Sequence, residues 1–240
     1  MRNKLFNLEI DNLTLLEALE KIDDLIASGG CHHVVTANPE ILYRALSDKG
    51  LYETIAQASL VTADGQGILL AGKLLDQPFK ARVTGIDLAE ALCATSGERG
   101  HKIYFLGGKE GISKKAQMAI LRRYPNANIV GEHHGYFKND IEPLLADLRE
   151  KQPDILLVAM GSPYQEEFIL RYQKLLNIPV AIGVGGTLDV FSGEVKRAPE
   201  LVQTLKLEWA YRILSDPKRW RRTLVLPKFV LAVLKEKYKK

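Results

Sequence analysis

Asp154-Ile155-Leu156-Leu157-Val158-Ala159-Met160, running directly into Gly161-Ser162-Pro163-Tyr164-Gln165, holds the pattern on which the fold turns. An apolar run this short, closed by glycine and proline, reads as a strand buried on both faces and followed by a helix. The same unit recurs outward in both directions. Lys102 to Leu106 leads into Gly107-Gly108, and Val180 to Val184 into Gly185-Gly186. His33-Val34-Val35-Thr36 leads into Asn38-Pro39-Glu40, where Asn38 suits an N-cap and Pro39 the first helical position. Ser59 to Thr62 leads into Ala63-Asp64-Gly65-Gln66-Gly67 and a helix through Leu75. An opening strand over Lys4 to Ile10 precedes a helix with Leu15, Leu16, Ala18, Leu19, Ile22 and Leu25 on one side, stopped by Gly29-Gly30. Strands alternating with helices predict an α/β fold: a mostly parallel, Rossmann-like sheet covered by helices on both faces.

Composition supports that class and removes others. The 240 residues are 46% apolar and 26% charged, with 2 cysteines, which excludes disordered, collagen-like and disulfide-scaffold chains. Cys31 and Cys93 are far apart and form no CxxC motif, so no disulfide framework or zinc site is expected. The charge is uneven. Residues 195–240 carry 13 basic and 4 acidic side chains, a net +9, against 20 basic and 25 acidic, a net −5, in residues 1–194. The expectation is a catalytic α/β core over 1–194 and a basic, helical C-terminal appendage over 195–240 that meets a polyanion, nucleic acid or an anionic membrane. Met1 to Thr14 contains no signal-like apolar region, and no apolar run reaches the length of a membrane span. The expected compartment is cytoplasmic, with any membrane contact peripheral.

In parallel sheets ligands sit at the carboxyl ends of the strands. The loops there are rich in glycine, which lets backbone N–H groups approach a phosphate at a helix N-terminus. Each loop taken singly reads more readily as a tight turn. Gly183 to Leu188 resembles half a dinucleotide fingerprint, but Leu188 stands where its last glycine belongs, which disfavours a nicotinamide enzyme. Asp64, at the end of an apolar strand, is either a general base facing a cleft or the N-cap of the helix near Gly67. Asp87 reads as a start-of-helix residue behind a Thr84 cap, and Asp189 as a charge stabilising a helix N-terminus. His32-His33 and His133-His134 are adjacent pairs that face opposite ways on a strand, so no essential metal is expected.

The ordered motifs also carry a likeness. Thr36-Ala37-Asn38-Pro39-Glu40, Thr62-Ala63-Asp64-Gly65-Gln66-Gly67, Arg82-Val83-Thr84-Gly85-Ile86-Asp87, Phe105-Leu106-Gly107-Gly108, Gly135-Tyr136-Phe137, Pro153-Asp154-Ile155-Leu156, Gly161-Ser162-Pro163-Tyr164-Gln165-Glu166, Gly183-Val184-Gly185-Gly186 and Lys196-Arg197-Ala198-Pro199 stand in that sequence. Their arrangement resembles the WecG/TagA/CpsF glycosyltransferases across nearly the whole chain, with Leu207-Glu208-Trp209 and Tyr211-Arg212 continuing it. The likeness is strongest to the TagA branch. It implies transfer of N-acetylmannosamine from UDP-N-acetylmannosamine to the 4-hydroxyl of undecaprenyl-diphosphate-linked N-acetylglucosamine, building the wall teichoic acid linkage unit. The implied reaction inverts, forms a β-1,4 bond and uses no metal or other cofactor. Carried over by position, Asp64 is the base. Thr36, Asn38, Arg82 and Gln165 are binding residues, and Gly107, Gly108, Gly185 and Gly186 fit the nucleotide. Without a metal, leaving-group charge falls to arginines and backbone N–H groups.

The tail reads as three short helices, over Glu200 to Leu214, from Ser215-Asp216-Pro217, and after Pro227. Leu201, Leu205, Trp209 and Ile213 form an apolar stripe, and Trp220 and Leu224 stand among Lys218, Arg219, Arg221 and Arg222. Such helices suit an anionic membrane face; the alternative is packing on the body or a dimer partner. The resemblance implies that Arg212, Arg219 and Arg222 reach the donor diphosphate, and it suggests a homodimer. A related transferase using the uronic acid of the same sugar, or another UDP-sugar for capsule or surface polysaccharide, remains the alternative. A nucleic-acid-binding protein would explain the basic tail but leave the glycine loops and Asp64 without a role, so no nucleic-acid partner is expected.

Overall fold

The computed structural model describes residues 1–137, 140–199, 202, 211 and 225–238. Arg212, Arg219, Arg222, Trp209, Trp220 and, apart from Val202 and Tyr211, the first tail helix lie outside them, as do residues 215–224 of the second. The described strands are β1 (Arg2–Leu5), β2 (Leu8–Asp11), β3 (His32–Ala37), β4 (Leu60–Ala63), β5 (Ile103–Gly107), β6 (Ile129–His133), β7 (Ile155–Ala159) and β8 (Val180–Gly183). The helices are α1 (Leu15–Ala27), α2 (Pro39–Ala45), α3 (Lys49–Gln57), α4 (Gln66–Leu74), α5 (Gly85–Arg99), α6 (Ile112–Arg123), α7 (Glu142–Lys151), α8 (Tyr164–Leu176), α9 (Thr187–Phe191) and α10 (Val225–Lys237).

Strands β3 to β8 form one six-stranded sheet in the order β4-β3-β8-β7-β5-β6, with every pair parallel. The run that opened the argument, β7, is buried at every residue and lies mid-sheet between β5 and β8. Alternate residues of its strands feed two different cores. Ile155 and Leu157 face α1, α5, α6 and α9 along with Val34, Phe105 and Ile182. Leu156 and Val158 face α7 and α8 with Tyr104, Leu106 and Ala181. The predicted sheet covered on both faces is therefore the observed one.

Three details depart from expectation. The opening segment is a hairpin rather than one strand: β1 and β2 pair antiparallel, turned by Phe6 and Asn7 at φ of 55° and 60°. Positive φ at phenylalanine is uncommon. Here Phe6 is buried edge-on against Phe229 of α10, 5.7 Å between ring centroids, so tertiary packing holds a turn that composition does not announce. Second, β6 is an edge strand whose residues are all half-buried, and its Ile-Val-Gly-Glu-His sequence carries too little apolar signal to be recognised. Third, Pro227 lies inside α10 and not before it.

Helix α10 packs on the body. It lies against α2 and α4, buries Phe229 and Val233, accepts the Phe6 N–H on Glu236 at 3.0 Å, and pairs Lys237 with Asp76. Of the two readings of the tail, packing on the body describes this helix. No helix among the described residues is long and apolar enough to cross a membrane.

Candidate active site

The carboxyl ends of β4, β3 and β8 bring Asp64, Thr36, Asn38 and the Gly183 to Gly186 loop to one edge of the sheet. The ladder continues past the strands: the Asp64 N–H donates to the Ala37 carbonyl at 2.8 Å, which sets Asp64 beside Asn38. Asp64 does not cap the helix that follows it, because α4 has Gly65 at its N-cap and no side-chain cap bond. Its Oδ2 instead accepts from the Gly85 N–H at 3.2 Å. Gly85 is the first residue of α5, so the carboxylate faces a helix N-terminus, where negative charge is stabilised. The segment leading to α5 is fixed by the Val83 N–H on the Ala63 carbonyl and by Thr62 Oγ1 donating to the Val83 carbonyl. That segment places half-buried Arg82 along the end of β4.

The other candidates are braced. Thr36, buried, donates its hydroxyl to the Gly183 carbonyl at 2.8 Å, tying β3 to β8. A Cβ at Gly85 would stand 3.2 Å from Thr36 Oγ1, so α5 approaches this strut closely. Asn38 caps α2 by accepting the Ile41 N–H on Oδ1 at 3.0 Å, as its position before Pro39 predicts, and Thr84 caps α5 through the Asp87 N–H. Gln165 is buried in the first turn of α8. Its Oε1 accepts the Gly185 N–H at 3.0 Å and its Nε2 donates to Glu166 at 2.8 Å.

The glycine loops differ. Gly107 and Gly108 are packing glycines: a Cβ on Gly107 would stand 2.3 Å from the Ala159 carbonyl oxygen, and Gly108 O accepts the Gly135 N–H at 2.9 Å. Gly185 has φ +57° with nothing within 4 Å of a built Cβ, so that turn borders open space, and Gly186 is the N-cap residue of α9.

Glu166, Gly85, Gly183 and Arg197 carry contacts at this edge that reading by residue type passed over. Arg197 pairs with Asp87 and Glu90, fixing the root of the tail to α5. Leu226 of α10 comes within 3.7 Å of a Cβ built on Gly67 in α4. The chain between them thus starts and ends on the two helices that flank Asp64. Among the described residues no three His, Cys, Asp or Glu side chains stand together as a metal-ligand group.

Residues 3–240 match the model of the Glycosyl transferase WecG/TagA/CpsF family. The chain belongs to that family. It is a glycosyltransferase, in keeping with the resemblance carried by its motifs. Two relatives, from Staphylococcus aureus strains MW2 and NCTC 8325 / PS 47, are each 36% identical over 237 residues, covering 98% of this chain and 93% of theirs. Both are named N-acetylglucosaminyldiphosphoundecaprenol N-acetyl-beta-D-mannosaminyltransferase.

Proposed function

We propose that this glycosyltransferase moves N-acetylmannosamine from UDP-N-acetylmannosamine to the 4-hydroxyl of undecaprenyl-diphosphate-linked N-acetylglucosamine, in wall teichoic acid linkage-unit synthesis. The observation that carries the reading is the Asp64 carboxylate, held by Gly85 at the end of β4 beside an open glycine turn, in a chain similar over nearly its whole length to mannosaminyltransferases.

The reaction is a single displacement with inversion. The acceptor 4-hydroxyl oxygen attacks the anomeric carbon as the bond from that carbon to the UDP oxygen breaks. UDP departs with the bonding electron pair, and Asp64 takes the hydroxyl proton. Charge developing on the leaving diphosphate is met by the backbone N–H of Gly186 in the turn that Gln165 holds at Gly185, by Arg82, and by tail arginines Arg212, Arg219 and Arg222. The last three suit this role because the chain on either side of them is anchored to helices adjoining Asp64, Arg197 pairing with Asp87 of α5 and Leu226 lying against Gly67 of α4. No metal takes part. Thr36, Asn38 and Gln165 shape the donor site, and Gly107-Gly108 supports it. The basic tail holds the enzyme on the anionic inner face of the cell membrane, where a lipid-linked acceptor is presented, and a homodimer is the proposed assembly state.

A donor panel tests the reading. With a short-chain lipid-diphosphate N-acetylglucosamine acceptor, UDP-N-acetylmannosamine should be consumed, while its uronic acid and UDP-N-acetylglucosamine should not. Preference for the uronic acid would move the enzyme to a surface-polysaccharide role, and absence of transfer from every UDP-sugar would overturn the proposal.

A further inference from the structure

We propose that Glu166 is a positioning residue for transfer: its Oε1 is the acceptor that decides which way the Gln165 amide faces, and through Gln165 it holds the Gly185 turn in place. The consequence for donor binding rests on the reading of that turn as part of the donor site.

The two ends of a glutamine amide are nearly equal in shape but opposite in hydrogen-bonding sense, so orientation must be imposed by partners. The Gly185 N–H can only donate, which requires Oε1 on that side. The other side is set by Glu166, whose Oε1 accepts from Nε2 at 2.8 Å. Reversing the amide would set its NH2 against the Gly185 N–H and its carbonyl against the Glu166 oxygen. Both residues are 2% exposed, so water cannot relieve either clash.

Gly183 shows how closely the amide is fitted. A Cβ there would lie 2.5 Å from Gln165 Nε2, so the side chain rests directly on the backbone of β8. The carbonyl of the same glycine accepts from Thr36, and α5 approaches Thr36 with the residue that holds Asp64. Loss of the Glu166 acceptor therefore loosens one end of a contiguous set of contacts whose other end is the base. The second carboxyl oxygen of Glu166 is buried and has no hydrogen-bond partner among the described residues, and burial pushes the pKa of the group up from its ordinary value. One neutral acceptor oxygen is all the role requires, and a glutamine side chain supplies it.

That requirement gives the test. In the full-length enzyme, Glu166→Gln should keep kcat/KM for the UDP-sugar within about 3-fold of wild type. Glu166→Ala should lower it by about 10- to 100-fold, the cost of a buried amide without its partner, with most of the change in donor KM. The Gly185 amide resonance should shift in Glu166→Ala and stay in place in Glu166→Gln. The proposal is overturned if the alanine variant matches wild type, or if the glutamine variant is as impaired as the alanine one. Should Glu166→Ala fail to fold, Glu166→Gln still decides: a lost Gly185 resonance position or a large kinetic defect in it refutes the acceptor role. Separately, wild-type enzyme without affinity for UDP would remove the donor-site reading of the turn, while the resonance comparison would still measure positioning.

Discussion

The two ends of the same strands are built differently. At the carboxyl ends, β3, β4 and β8 finish in glycine turns, helix N-termini and the Asp64 carboxylate. At the amino ends a hollow of about 630 Å³ is lined by Arg2, Asp11, Lys21, His32 and Ser59. Its polar groups are turned toward one another. Arg2 pairs with Asp11 and donates to the Ser59 carbonyl, and the His32 ring is in hydrogen-bond contact with Ser59, Ser28 and the Gly29 carbonyl. A hollow alone therefore does not mark the chemistry. What distinguishes the carboxyl edge is the presence of backbone donors at helix N-termini beside a carboxylate, which follows from the parallel direction of every strand.

The sharpest way to break that contrast is to remove the base. Asp64→Asn should lower kcat by about 10²- to 10⁴-fold with thermal stability and UDP affinity near wild type, measured by transfer assay, melting and calorimetry. Arg2→Ala, at the opposite edge, should leave transfer unchanged and cost at most about 1 kcal/mol, since its pair is partly exposed. Comparable kinetic losses in the two variants would dissolve the distinction.

Helix α10 runs from Leu226 beside Gly67 of α4 to Glu236 on Phe6 of the β1–β2 hairpin. Phe229→Ala should therefore cost about 3–5 kcal/mol in denaturant unfolding, because a fully buried ring that meets Phe6 is lost. For the same reason a chain ending near Glu194 would expose the apolar surface around Phe6. An unchanged unfolding midpoint in Phe229→Ala would show that α10 merely rests on the body.

A smaller effect concerns pH. His33, on β3, is buried with neither ring nitrogen hydrogen-bonded among the described residues, and burial lowers its folded-state value from 6.5 to about 4. The unfolded ring takes up a proton near pH 6.5 while the folded ring does not. The contribution is whole above pH 6.5 and is lost progressively as pH falls toward 4, about 3 kcal/mol at most. Urea unfolding at pH 7.5 and 5 should show this loss in wild type and a flatter profile in His33→Leu; parallel profiles would remove His33 as the source.

Much of this arrangement was legible in residue order. β7 and its neighbours announce themselves because strands buried on both faces need unbroken apolar runs, and Asn38-Pro39 and Thr84 read as caps because capping requires a short acceptor at a fixed offset. Asp64 was visible as a charge that an apolar strand has no reason to end on. The Phe6-Asn7 turn was not legible, since its cause lies more than 200 residues away in Phe229. Gln165 was legible as a polar residue near the site, but its dependence on Glu166 was not, because adjacent residues on a helix give no sign of which will share a hydrogen bond until the strand beneath them is placed.

By itself the sequence determined the parallel α/β architecture, the family and the separation of an acidic body from a basic tail, because periodicity, turn residues and charge are local properties of the chain. Only the tertiary structure decided that Asp64 answers to Gly85 and not to its own helix, that Gly107 is a packing glycine while Gly185 borders open space, and that α10 belongs to the body. Those outcomes depend on which hydrogen-bond partners and buried surfaces the fold brings together across long stretches of chain, and spacing along the sequence does not encode them.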